Sequence, residues 1–143
     1  FREKEVRPMG RAAAGVRGIR LKSTDMVVGM DICSSTMVGK GMLELFVAMK
    51  NGYGKRTNVK QYKVQGRGGS GIKTAATTDK TGKVIFSEVV NAKDERDLIV
   101  VSSHGQVIRL ALKAVPSLGR ATQGVRLMSF KEKGDTIASI TFI

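Results

Sequence analysis

This chain lacks most of the residues that catalysis and cofactor binding depend on. It holds one histidine, His104, and one cysteine, Cys33. A lone histidine cannot build a histidine-based metal cluster, and with no evident nucleophile beside it no triad can be assembled. A lone cysteine excludes an internal disulfide framework and points to a reducing, cytoplasmic setting. Tryptophan is absent and aromatic residues make up only 5% of the chain, so a core must come from Val, Ile, Leu, Met and Ala. The same scarcity argues against base stacking on single-stranded nucleic acid. Proline occurs only twice. No apolar run is long enough to cross a bilayer, and no signal-peptide pattern opens the chain. It starts at Phe1 without Met, which suggests a piece of something longer.

Glycine and positive charge are abundant. There are 17 glycines, which suits turns that need positive φ rather than rigid corners. Twenty-five Lys and Arg stand against 12 Asp and Glu, a net charge of +13 over 143 residues. Such a field favours polyanions: nucleic acid, an anionic surface or an acidic protein. The excess is uneven, with 15 cations and 5 acids in residues 1–73.

One loop occurs three times. Gly10-Arg11-Ala12-Ala13-Ala14-Gly15-Val16 is followed by Gly66-Arg67-Gly68-Gly69-Ser70-Gly71-Ile72, then Gly119-Arg120-Ala121-Thr122-Gln123-Gly124-Val125. A cation closes each copy: Arg17, Lys73 and Arg126. The copies start 56 and 53 residues apart. A period near 50 residues implies stacked or radial β units.

The third unit reads most clearly. Residues 97–103 form an apolar strand, His104-Gly105 a turn, and 106–112 an alternating return strand. The loop follows, then a short third strand over 125–130, a polar turn, and a fourth strand over 136–143. The second unit repeats the order: 43–49, the hairpin signal Asn51-Gly52, a return over 53–62, the loop, 73–77, and 83–90. The first unit is partial, with the end of a strand at 1–6, its loop, 16–21 and 26–32. The expected class is all-β, an incomplete propeller-like array of four-stranded antiparallel blades. Its expected divisions are a partial blade at 1–32, blades at 43–90 and 97–143, and connectors at 33–42 and 91–96.

Several patterns imitate chemical sites. Gly66, Gly68 and Gly71 satisfy G-x-G-x-x-G, yet a polar, basic stretch precedes them and a Thr-rich one follows, where a dinucleotide site needs strand and helix. Ile72 separates Gly71 from Lys73-Thr74, which spoils a P-loop. Asp94, Glu95 and Asp97 read as a solvated turn rather than a divalent-ion site. Tyr53 and Tyr62 fit a half-buried strand and have no evident base. No catalytic constellation, metal site or cofactor is expected.

The recurring cations fit a nucleic-acid backbone. Arginine forks match phosphate oxygens, and glycines let main-chain N–H groups approach them. The candidate contacts are Arg11, Arg17, Arg20, Lys55, Arg56, Lys60, Arg67, Lys73, Arg109, Arg120 and Arg126. The loop glycines are Gly10, Gly15, Gly66, Gly68, Gly69, Gly71, Gly119 and Gly124. The reading from another class is a propeller that presents its positive face to an acidic protein.

A family resemblance rests on these same residues. Val6-Arg7-Pro8-Met9-Gly10-Arg11 with Gly15-Val16-Arg17-Gly18-Ile19-Arg20-Leu21, then Asn51-Gly52-Tyr53-Gly54-Lys55-Arg56-Thr57, then Gly119 to Arg126, resemble the C-terminal domain of bacterial DNA gyrase A. The related disc of the topoisomerase IV counterpart is the near alternative. The resemblance implies a β-pinwheel, in which neighbouring blades exchange strands, with the last two to three blades present here. It implies sequence-independent binding, bending and wrapping of duplex DNA by a non-catalytic domain. The parent would be an ATP-hydrolysing topoisomerase that introduces negative supercoils, a cytoplasmic, nucleoid-associated enzyme. The implied partners are double-stranded DNA, the rest of gyrase A, and gyrase B, with no membrane. The family's box Gln-Arg-Arg-Gly-Gly-Lys-Gly is only partly matched by Gln65 to Gly71, so phosphate contact is carried to Arg67 alone. Open blade edges admit a strand-exchanged dimer.

Overall fold

The computed structural model describes residues 1–143. Its regular elements, in chain order, are α1 (Ser35–Gly39), β1 (Leu43–Met49), β2 (Tyr53–Asn58), β3 (Val84–Asn91), β4 (Asp97–Ser102), β5 (Val107–Ala111), β6 (Val125–Arg126) and β7 (Ile137–Phe142). Short 3₁₀ turns occur at Glu3–Glu5, Val59–Gln61 and Leu112–Ala114. The expected all-β class holds, and no helix is long and apolar enough to cross a membrane.

Two compact units are present. One comprises Phe1–Val27 with Tyr62–Ile72, the other Val28–Gln61 with Lys73–Ile143.

The larger unit contains two antiparallel sheets, ordered β3-β1-β2-β6 and β5-β4-β7. The repeat is visible in their register. Leu45 faces Thr57 in the first hairpin, and Leu98 faces Leu110 in the second. The irregularity between Ala48 and Met49 recurs between Val101 and Ser102. Gly52 and Gly105 turn the two hairpins at φ +85° and +82°, a conformation that glycine adopts without a Cβ penalty.

β1 is paired along its length by β2 and β3, and β4 by β5 and β7, and the apolar runs of both strands are largely buried. One core draws Phe46 and Ala48 from β1, Val90 from β3, Leu98 and Val100 from β4, and Ile137 and Ile140 from β7. Phe46 packs edge-on against Phe142 with ring centroids 5.7 Å apart. Such a pair adds about 1 kcal/mol beyond its burial. A smaller cluster joins Met49, Tyr53 and Ala75.

The third strands depart from expectation. Only Val125–Arg126 of the expected 125–130 strand forms a ladder, and it pairs with Tyr53 and Gly54 of the preceding repeat. The second repeat therefore borrows its outer strand from the third, as in the pinwheel exchange. Residues 73–77 form no strand; Ala76 donates a single hydrogen bond to Thr122 O at 3.0 Å. In the smaller unit, 16–21 makes isolated bonds, such as Arg20 N to Gly69 O at 2.8 Å, instead of a ladder. Within 1–6 only Glu3–Glu5 turn, as a 3₁₀ helix, and 26–32 are exposed and form no strand, although the Asp31 carboxylate accepts Val89 N–H at 3.2 Å. Each of these segments needs a partner from another repeat, so local alternation alone cannot define it.

Candidate nucleic-acid interface

The first and third Gly-Arg loops share a turn, and all three share a left-handed closing glycine. Ala13 N–H donates to Gly10 O at 3.1 Å, and Thr122 N–H donates to Gly119 O at 3.3 Å, closing a turn over the arginine. The closing glycines Gly15, Gly71 and Gly124 sit at φ +84°, +76° and +79°. At Gly124 a side chain is excluded twice over, because a Cβ there would also overlap the carbonyl oxygen of Gly54. The other loop glycines, Gly10, Gly66, Gly69 and Gly119, sit without positive φ, while Gly68 adds a left-handed turn at +77°. Gly68 spends its N–H on Gly18 O at 2.8 Å, so that donor is not available to a phosphate.

The arginine after the first loop glycine does a job the sequence does not reveal. Arg67 Nε donates to Glu5 O at 3.0 Å and its Nη1 to Arg17 O at 2.8 Å. Its own N–H donates to Glu5 Oε2 at 2.9 Å, and Glu5 Oε1 accepts Arg2 N–H at 3.0 Å. The backbone donor of Arg67, then that of Arg2, hold the Glu5 carboxyl below its usual range. Arg120 Nη1 donates to Lys73 O at 3.4 Å in the next loop along. Arg17 and Lys73 occupy the same place, just after a closing glycine pair. In each case the loop arginine clasps the main chain of the preceding copy. Arg11, at the same loop position, is exposed and makes no such contact.

Two expected contacts are corrected. Lys55 is fully buried, and its ammonium donates to Gly119 O and Arg120 O, both at 2.6 Å, and to Thr122 Oγ1 at 3.0 Å. It holds the third loop from beneath, and burial pulls its pKa down to about 8. Arg56 Nε donates to Val115 O at 2.8 Å, and its Nη1 lies 3.0 Å from Glu44 Oε2, both side chains being nearly covered. Both cations look like solvent-facing positions on a basic strand. The third repeat covers that strand, and both cations are engaged within the protein.

The remaining candidates are at the surface. Arg17 and Arg20 in the smaller unit, and Lys60 and Lys73 in the larger, are exposed with no ion pair. Arg109 is exposed but bidentate on Asp97 Oδ2, through Nε at 2.7 Å and Nη2 at 2.6 Å. Arg126 is exposed, and its Nη2 donates to Tyr53 Oη at 2.8 Å. Lys80, absent from the expected contacts, places its Nζ 5.6 Å from the centre of the same Tyr53 ring. The smaller unit carries nine cations and three acids in its 38 residues, the denser field of the two units.

The family model described as "DNA gyrase C-terminal domain, beta-propeller" matches residues 1–34, 44–91 and 96–143. The chain belongs to the DNA gyrase A C-terminal domain family. Each of the three matched segments holds one copy of the Gly-Arg loop. The chain is 46% identical over 128 residues to the DNA gyrase A protein of Staphylococcus epidermidis, covering 90% of the chain and 14% of that protein. It is 44% identical over the same length to the DNA gyrase A protein of Staphylococcus aureus. It thus spans about one seventh of these relatives. Among solved structures, the DNA gyrase A C-terminal domain superposes with TM-score 0.74 at 23% identity, covering 98% of this chain and 45% of that one. The C-terminal domain of DNA topoisomerase IV superposes with TM-score 0.81 at 21% identity, covering 99% and 42%. At those identities the structures speak for the fold alone, the gyrase A C-terminal domain β-pinwheel.

Within that family fold, Arg67, Arg120 and Lys55 are cross-ties between repeats. The exposed cations after the closing glycines are the groups left facing solvent.

Proposed function

We propose that this chain binds duplex DNA without sequence preference, as a non-catalytic, DNA-bending part of a type IIA topoisomerase. The observation that carries the reading is the recurrence of an exposed cation after each closing glycine: Arg17, Lys73 and Arg126. Cations repeated at a fixed structural place suit a polymer of regularly spaced phosphates, and phosphate contacts position a duplex without reading its sequence. Arg11, Arg20 and Lys60 add to the same field. Arg67 and Arg120 contribute mainly by holding the loops, and Arg109 is partly neutralised by Asp97.

Where DNA bends to follow such contacts, deformability rather than base identity sets the preference among sequences. In the parent enzyme this binding would support ATP-dependent negative supercoiling, with the remainder of gyrase A, and gyrase B, as partners and the nucleoid as the setting. A strand-exchanged dimer of the chain belongs to the same reading. β5 ends its sheet without the outer strand that β6 supplies to β2, and such edges seek partners.

The test is an electrophoretic shift with two unrelated duplexes of equal length at physiological salt. Equal shifts support the reading. No shift with either, together with capture of an acidic polypeptide such as polyglutamate, supports the protein-binding alternative instead.

A further inference from the structure

Two exposed cations from distant parts of the sequence converge on one buried aromatic ring. Arg126 lies directly opposite Tyr53 in the β2–β6 ladder, with its Cζ 5.3 Å from the ring centre. Lys80 approaches the same ring from the turn before β3. Tyr53 is only 7% exposed and is anchored with Met49 and Ala75. Neither cation has an ion-pair partner. Cation–π contact holds each charge over the ring, but nothing neutralises the two together.

The turn that carries Lys80 is fixed. Asn51 Nδ2 donates to Asp79 O at 2.9 Å and to Lys80 O at 3.3 Å. Beneath it, the fully buried Thr81 accepts Thr78 N–H at 2.9 Å and donates to Ala76 O at 3.1 Å. Arg126 is fixed equally well, by the ladder and by its bond to the Tyr53 hydroxyl. Arg17 and Lys73 have their main chain held by Arg67 and Arg120, but no aromatic ring holds their charged ends. A pair of ordered, unneutralised cations is the arrangement a phosphate group binds best, because little side-chain entropy is lost on contact.

We propose that Arg126 and Lys80 form a two-cation phosphate site, with Tyr53 as the positioning residue that holds both side chains. The site rests on the duplex-binding reading and adds two residues to it. The hydroxyl orients the Arg126 fork, and the ring holds the Lys80 ammonium 5.6 Å from its own centre.

The test combines duplex titrations over a salt series with NMR of the Tyr53 ring during titration with inorganic phosphate. Arg126→Ala and Lys80→Ala should each lower the slope of log K against log salt by about one contact. Tyr53→Phe should weaken binding about two- to fivefold at unchanged slope and unchanged thermal stability. In Arg126→Ala, adding Tyr53→Phe should cost nothing further. Phosphate should shift the Tyr53 ring signals saturably in the wild type and not in Arg126→Ala. Slopes unchanged in both alanine variants, or an undiminished effect of Tyr53→Phe on the Arg126→Ala background, would overturn the site while leaving duplex binding intact. Saturable phosphate binding without duplex binding would keep the site and remove the DNA reading. No response to either ligand would remove both.

Discussion

The Arg67 guanidinium donates to the backbone carbonyl of Arg17 at 2.8 Å, across 50 residues of sequence. Arg120 repeats the contact on Lys73 O. The residue providing the carbonyl also carries the exposed cation. One arginine therefore fixes the backbone from which the next cation projects, and two arginine types that look alike in the sequence have different duties.

Substitution separates those duties. Arg67→Ala and Arg120→Ala should lower stability by about 1–2 kcal/mol, as expected for lost hydrogen bonds from a charged donor. Arg17→Ala and Lys73→Ala should leave stability within about 0.5 kcal/mol and instead lower the salt slope of duplex binding by about one contact each. Chemical denaturation and salt-dependent titration of the four variants check this.

Gly124 is the loop position least tolerant of a side chain. Gly124→Ala meets both a left-handed φ of +79° and the Gly54 carbonyl oxygen. It should destabilise by at least about 1–2 kcal/mol. Gly15→Ala, with a similar φ and nothing within 4 Å of its Cβ, should cost less. Thermal melts of the two variants rank them.

Lys55 gives a pH signature of defined sign. Its folded pKa is depressed to about 8 from 10.5. Below about 8, both the folded and unfolded chains carry the proton and the group adds no slope. Between about 8 and 10.5 the unfolded chain holds the extra proton, so this group favours the folded state increasingly as pH rises. The difference in unfolding free energy between wild type and Lys55→Met should grow over that window. A difference that shrinks would mean that the three acceptors around the ammonium outweigh its burial.

The hairpins were legible because their information is local. Alternation in 106–112 and the Asn51-Gly52 and His104-Gly105 turns specify a strand pair within about a dozen residues. The outer strand was not, because β6 pairs with a partner 73 residues away from Arg126, at Tyr53. The recurring loop was visible as a period, and its closing glycines behave alike in all three copies. The fate of each cation was not visible. An arginine that clasps a carbonyl and one that faces a phosphate are the same residue type at the same spacing. Lys55 and Arg56 looked exposed for a related reason: a later loop, distant in sequence, folds over their strand. Tyr53 and Lys80 come together only through the turn held by Asn51, and no spacing in the sequence announces that.

The affinity for one short duplex across a salt series, measured on the wild type and on Arg17→Ala/Lys73→Ala together, tests phosphate-backbone binding most directly. Such binding gives a steep negative slope of log K against log salt, the same for unrelated sequences. In the double variant the slope should be shallower by about two contacts. A flat salt dependence, or binding confined to one sequence, would contradict it.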